Sequence, residues 1–217
     1  MYQLQITVKF YDLLYLNANL DKRDSGNSVM LDHTARLANA LVEQSVCRSD
    51  LLEAGLNFLM LRNDVEDPNT DYVSWEKSLT ESERFLEHGL HCIPTSAVFW
   101  AKLAIVKQAE SENSQELARL LTMSQHFSPT EIGPIWMRFF VYRRASPSTI
   151  DASRETIEAD LQTLLTYGDK TGIEIALRGV SKNPPLDALM KNAYSKLSPE
   201  RRTFLQRSGL AAFTIHQ

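Results

Sequence analysis

The stretch PTSAVFWAKLAIVKQAESENSQELARLLTMSQHFSPTEIGPIWMRFF, residues 94–140, decides the fold. Pro94 ends one amphipathic segment, and Trp100, Leu103 and Ala104 follow in the next. Pro129 repeats the punctuation, and Trp136, Phe139 and Phe140 follow it. The prolines are 35 residues apart and the tryptophans 36. A recurrence near 34 residues marks stacked helical hairpins, because one hairpin cannot bury its apolar face alone and its neighbours do it instead. Stacked hairpins usually hold other chains and seldom do chemistry, so the spacing predicts a binding role. A plain helical bundle with accidental tryptophan spacing is the competing reading.

Working outward, apolar residues keep a helical period almost throughout. Residues 1–8 alternate loosely, but the helical spacing of Tyr11 to Leu20 favours a helix over a strand. The polar run 21–28 reads as a loop. Helices are predicted near 29–45, 50–62 (capped by Ser49 or Asp50), 71–92, 97–109 (capped by Ser96) and 114–126. Ser128-Pro129-Thr130-Glu131 has the form of a capping box with proline at the first helical position, so another helix starts there and runs to about Arg144. Pro134 is expected to kink its first turns or to move its start later. Ser146-Pro147 opens the next helix, and shorter ones follow near 170–181, 185–196 and 198–212. The expected fold is all-α: about ten helices in antiparallel hairpins. An N-terminal helix and linker occupy 1–28, the repeats 29–145, and a C-terminal helical cap 146–217.

Composition narrows the function. The 217 residues are 43% hydrophobic and 23% charged, which is ordinary globular usage. A net charge of −4 argues against a general nucleic-acid binder, which needs a basic stripe to neutralise phosphates. No apolar run approaches the roughly 18–20 residues that span a bilayer. The start MYQLQITVKFYDLLYL has no cationic n-region and carries Lys9 and Asp12, so it does not read as a signal peptide.

At the level of the repeat, the chain resembles the tetratricopeptide-like helical family. Ser82, Leu86, Gly89 and Pro94 match that family's second helix, as do Leu121, Ser124 and Pro129 one unit later. Trp100, Leu103 and Ala104 match its first helix, and so do Trp136, Phe139 and Phe140, except that Phe140 is large where a small residue is usual. The resemblance covers roughly 80–145. It implies a concave groove for a peptide, formed by Val98, Ala101, Ile105 and Gln108 from one helix and Met137, Val141 and Arg144 from the next. That face would take a hydrophobic segment, with the arginine available for a carboxylate. A helix of the same chain filling the groove is the alternative. More loosely, Cys47-Arg48-Ser49-Asp50, the Trp75 helix, His91-Cys92-Ile93-Pro94 and Ser124 to Pro129 are similar to a group of small helical proteins of alphaproteobacteria. That similarity implies a link to cell-envelope polysaccharide production.

Chemical signals are sparse. Cys47 falls in the turn between the 29–45 and 50–62 helices, and Cys92 at the end of the 71–92 helix. If these three helices run up, down and up, both cysteines reach the same end of the bundle. A disulfide is then sterically open to them, and two separate half-buried thiols are the alternative. A bridge would imply an oxidising compartment such as the periplasm; free thiols leave the cytoplasm. His88, His91 and Cys92, with Glu87 alongside, have helical spacing that can mimic a metal site. No second His/Cys cluster supplies a fourth ligand, so no metal or cofactor is expected. A metal-dependent or enzymatic subunit using residues 87–92 is the rival from another class, and a self-associating homodimer a third reading. There is no phosphate loop, GxSxG elbow or HExxH, so no catalytic residue is assigned. The Arg143-Arg144 doublet reads as a partner for a helix C-terminus, and Arg201-Arg202 as a solvated face.

Overall fold

The structure is a computed structural model that describes residues 2–20 and 27–210. Thirteen α-helices follow one another, with a single 3-10 turn and no strand among the described residues. They are α1 Tyr2–Lys9, α2 Tyr11–Ala18, α3 Ser28–Glu43, α4 Ser49–Val65, α5 Tyr72–Cys92, α6 Ala97–Glu110, α7 Ser114–Phe127, α8 Ile132–Tyr142, α9 Pro147–Ala152, α10 Arg154–Tyr167, α11 Lys170–Leu177, α12 Pro184–Ser195 and α13 Pro199–Arg207. Most of the expected 21–28 loop and the end of the 198–212 segment lie outside the described residues.

The all-α expectation holds, and the extra helices come from two breaks. Phe10 separates α1 from α2, and Ser153 separates α9 from α10. Both residues are buried, so each marks a bend toward the core rather than a surface loop. Elsewhere the caps follow the sequence: the side chains of Asp71, Ser96, Asn113 and Ser146 each accept from the backbone N–H three residues on. Two expected caps do not form. Arg48 takes the position before α4 with no side-chain cap bond, while Asp50 accepts from its neighbours Arg48 and Leu51. The Ser128–Glu131 capping box is also absent, since α8 begins only at Ile132, after Glu131. Pro134 explains the delay. It has no N–H to give to the helix ladder, so it fits only in the first turn, where those donors are unpaired in any case.

The chain divides into two compact units, 1–94 and 95–217, so the expected 29–145 array falls partly in each. In the first unit α3 and α4 form a hairpin, with α2 and α5 packed against both. Phe10, Leu13, Leu41, Leu52, Phe58, Phe85 and Leu86 fill its core. Gly55 is where α4 meets its neighbours: a Cβ there would lie 2.8 Å from Phe85 Cζ and 3.4 Å from the Ala38 Cβ. In the second unit α6 and α7 form the hairpin, joined by three residues, and α8 packs on both. α10 lies against α7, α8 and α12, and α11 against α8. Leu103, Leu121, Ile135, Phe139, Ile157, Leu161 and Leu186 are its core.

Candidate functional site

Six of the seven expected groove residues lie on α6 and α8, two helices packed side by side in the second unit, and Arg144 lies in the turn just after α8. Ala101 and Val141 are fully buried, and the Gln108 side-chain amide donates to the Val141 carbonyl at 3.1 Å, tying α6 to α8. Val98, Ile105 and Met137 are half-buried and Arg144 is exposed. The surface of this face is therefore carried by Val98, Ile105, Met137 and Arg144, joined by half-buried Phe140 one turn beyond Met137.

Phe140 is large where the expected repeat pattern has a small residue. Ala104, at the equivalent place on α6, is fully buried, whereas Phe140 stays half-exposed and carries the Arg144 guanidinium 3.6 Å from its ring centroid. Arg143 lies 5.9 Å from the same ring. It donates to the carbonyls of Phe139 at 3.1 Å and Arg178 at 2.9 Å, capping the ends of α8 and α11 as a cation near helix C-termini does. Burial and the neighbouring Arg144 and Arg178 guanidiniums press Arg143 below its ordinary pKa. None of the three arginines makes an ion pair among the described residues. The face thus ends in positive charge answered by carbonyls and an aromatic ring, not by carboxylates.

What holds α8 in place was not foreseen. Arg138 is fully buried and makes a two-pronged bond to fully buried Asp160 of α10, both contacts 2.6 Å. The Tyr142 hydroxyl donates to the same carboxylate at 2.9 Å. Arg138 also donates to Ser124 Oγ at 3.0 Å, and that hydroxyl donates to the Ala97 carbonyl at 2.9 Å. Four helices, α6, α7, α8 and α10, meet in this one polar knot. A signal existed in the sequence: Arg138 sits within the apolar run IWMRFFVY, and Asp160 falls between Ile157, Leu161 and Leu164 on a helix stripe. Beside α8, an open depression of about 400 Å³ is lined in part by Ile132, Trp136, Tyr167 and Gly172, and the Trp136 indole donates to the Gly172 carbonyl at 3.0 Å. Arg201 does not lie on the expected solvated face. Arg201 is half-buried and donates to the carbonyls of Leu165 and Gly168 at the end of α10, because α13 brings it there.

In the first unit, Cys47 and Cys92 form a disulfide, with Cα atoms 5.2 Å apart. The turn between α3 and α4 and the end of α5 do meet, as the up-down-up reading requires. Ser45 ends α3 in the left-handed region at φ 50°, and Val46 N–H returns to the Leu41 carbonyl at 2.9 Å. His88 Nε2 lies 3.0 Å from the Val46 carbonyl and 3.7 Å from Cys92 Sγ. Cys47, His88 and Cys92 place their ligand atoms within 4.8 Å of one another, while Glu87 and His91 are exposed and outside that group. With the sulfurs bonded to each other, neither is a thiolate ligand.

Comparison with known proteins finds no matching family, no matching curated protein and no matching solved structure. Among the described residues no helix is long and apolar enough to cross a membrane.

Proposed function

We propose that the protein is a non-catalytic scaffold that holds an apolar segment of another chain on the α6–α8 face, with a carboxylate of that segment at the arginine end. The observation that carries the reading is the arginine cluster. Arg143, Arg144 and Arg178 stand together at the end of a half-exposed apolar strip with no carboxylate partner among the described residues. An acidic group at the end of an apolar peptide complements that arrangement, and an arginine–carboxylate contact is a strong charge-assisted bond. Rigid helices favour such binding because little order is lost on association. A tetratricopeptide-like centre is supported by the packing of α6 on both its hairpin partner α7 and the next first-position helix α8. The cell-envelope polysaccharide setting rests only on the sequence similarity described above, and the disulfide suits an oxidising compartment.

Peptides with free C-termini, displayed beside their amidated twins, test the reading. The expected result is selection of apolar sequences with a terminal or near-terminal carboxylate, weakened about tenfold or more by Arg144→Glu. Equal binding of free and amidated peptides, indifferent to Arg144→Glu, would reject it.

A further inference from the structure

We propose that the Cys47–Cys92 disulfide is a thiol–disulfide exchange centre, with Cys47 the sulfur attacked and His88 the group that stabilises the departing Cys92. The two sulfurs have different surroundings. Cys47 is exposed in the turn before α4, whereas Cys92 is half-buried at the last residue of α5. An incoming thiolate therefore reaches Cys47 first. His88 lies one turn before Cys92 on the same helix, and its Nε2 contacts both the Val46 carbonyl and Cys92 Sγ. A ring N–H held at that point can turn its hydrogen bond from the carbonyl to a sulfur that gains negative charge. Cys92 is at the negative end of α5, where a thiolate has no help from the helix, so this donor is the stabilisation it has. Cys47 precedes the positive end of the 17-residue α4, which favours its thiolate. Its chain neighbour Arg48 is held at 2.6 Å by Asp50 and by Thr7.

The exchange balances with a dithiol as the co-reactant. The first dithiol thiolate attacks Cys47 Sγ, the Cys47–Cys92 bond breaks, and its electron pair leaves on Cys92 beside the His88 N–H. The second dithiol sulfur, deprotonated, then attacks the mixed disulfide and expels Cys47 as a thiolate at the start of α4. The dithiol becomes a disulfide, the two cysteines are reduced by two electrons, and the two protons lost by the dithiol end on Cys47 and Cys92. Run backwards, the same steps pass a disulfide to a dithiol client. Exchange rate depends on access and on stabilisation of the leaving sulfur, and the geometry addresses both.

The test uses the full chain without denaturant. Dithiothreitol is added, samples are alkylated, and intact mass gives the rate of reduction. Reduction is expected while the helical circular dichroism is still native, with His88→Phe slowing it about tenfold and His88→Gln, which keeps an N–H donor, recovering part of the rate. In parallel, Cys92→Ser exposed to glutathione disulfide is expected to acquire glutathione on Cys47 far faster than Cys47→Ser acquires it on Cys92. A bond that yields only after unfolding, or a rate indifferent to both His88 variants, would leave a purely structural disulfide and overturn the proposal. Faster labelling of Cys92 would overturn the assignment of the attacked sulfur.

Discussion

Arg138 and Asp160 pair at 2.6 Å with no solvent exposure at either side chain. Burial pushes the Asp160 carboxyl up from its usual range, against the pull of Arg138 and Tyr142. Such a pair matters most when half of it is removed, since the remaining group stays buried without its partner. Arg138→Met should cost about 3–5 kcal/mol in urea unfolding, and the double variant Arg138→Met/Asp160→Leu should cost less than the sum of its parts. Glu112 is the exposed counterpart. Burial raises its carboxyl, but the hydrogen bonds from Thr149 and Ser146 win and hold it below the ordinary 4.5. A depressed acid contributes stability that is full above the ordinary value and lost as pH falls through the folded-state value. Glu112→Gln should therefore narrow the loss in urea midpoint between about pH 6 and about pH 3 relative to the parent chain. Residue detail of this kind was the least legible in the sequence. The stripe positions of Arg138 and Asp160 announced burial, but which charge would meet which depended on where α10 returns to α8.

Elements were more legible, because caps and prolines act locally. Asp71, Ser96, Asn113 and Ser146 start their helices through bonds three residues long, so no tertiary information is needed to place them. At the start of α8 two local signals compete. The Ser128–Glu131 box and Pro134 cannot both be honoured, and Pro134 prevailed. The Ser128 hydroxyl, which caps nothing, stays buried without a hydrogen-bond partner, while its backbone carbonyl accepts from Arg138 at 3.4 Å. The end of α3 offers a test at this scale. Ser45 holds φ 50° where glycine is the usual residue, at a cost of about 1 kcal/mol or more. Ser45→Gly should raise stability by roughly 0.5–1 kcal/mol in equilibrium unfolding, less the added freedom of the unfolded chain. A loss of stability would mean that the serine side chain, not the backbone turn, ends the helix.

At the scale of the whole molecule, the all-helical fold followed from periodicity and punctuation, whereas the division at residue 94 left no mark in composition. Pro94 looked like one of several equivalent stops. Three consecutive helices of alternating direction bring Cys47 and Cys92 to one end, which the sequence allows without choosing between a bridge and two separate thiols. The face on α6 and α8 was legible only as positions: the resemblance supplied seven residues, and packing decided that Ala101 and Val141 lie inside while Phe140 and the arginines come to the surface. The central claim is that this face serves another chain. Its most direct test is Met137→Glu, with urea unfolding and peptide capture measured on the same preparation. The expected result is an unfolding free energy within about 0.5 kcal/mol of the parent and loss of captured apolar peptide. A variant that loses its helical fold, as it would if the chain itself occupied the face, or one that stays folded and captures the same peptides, would contradict it.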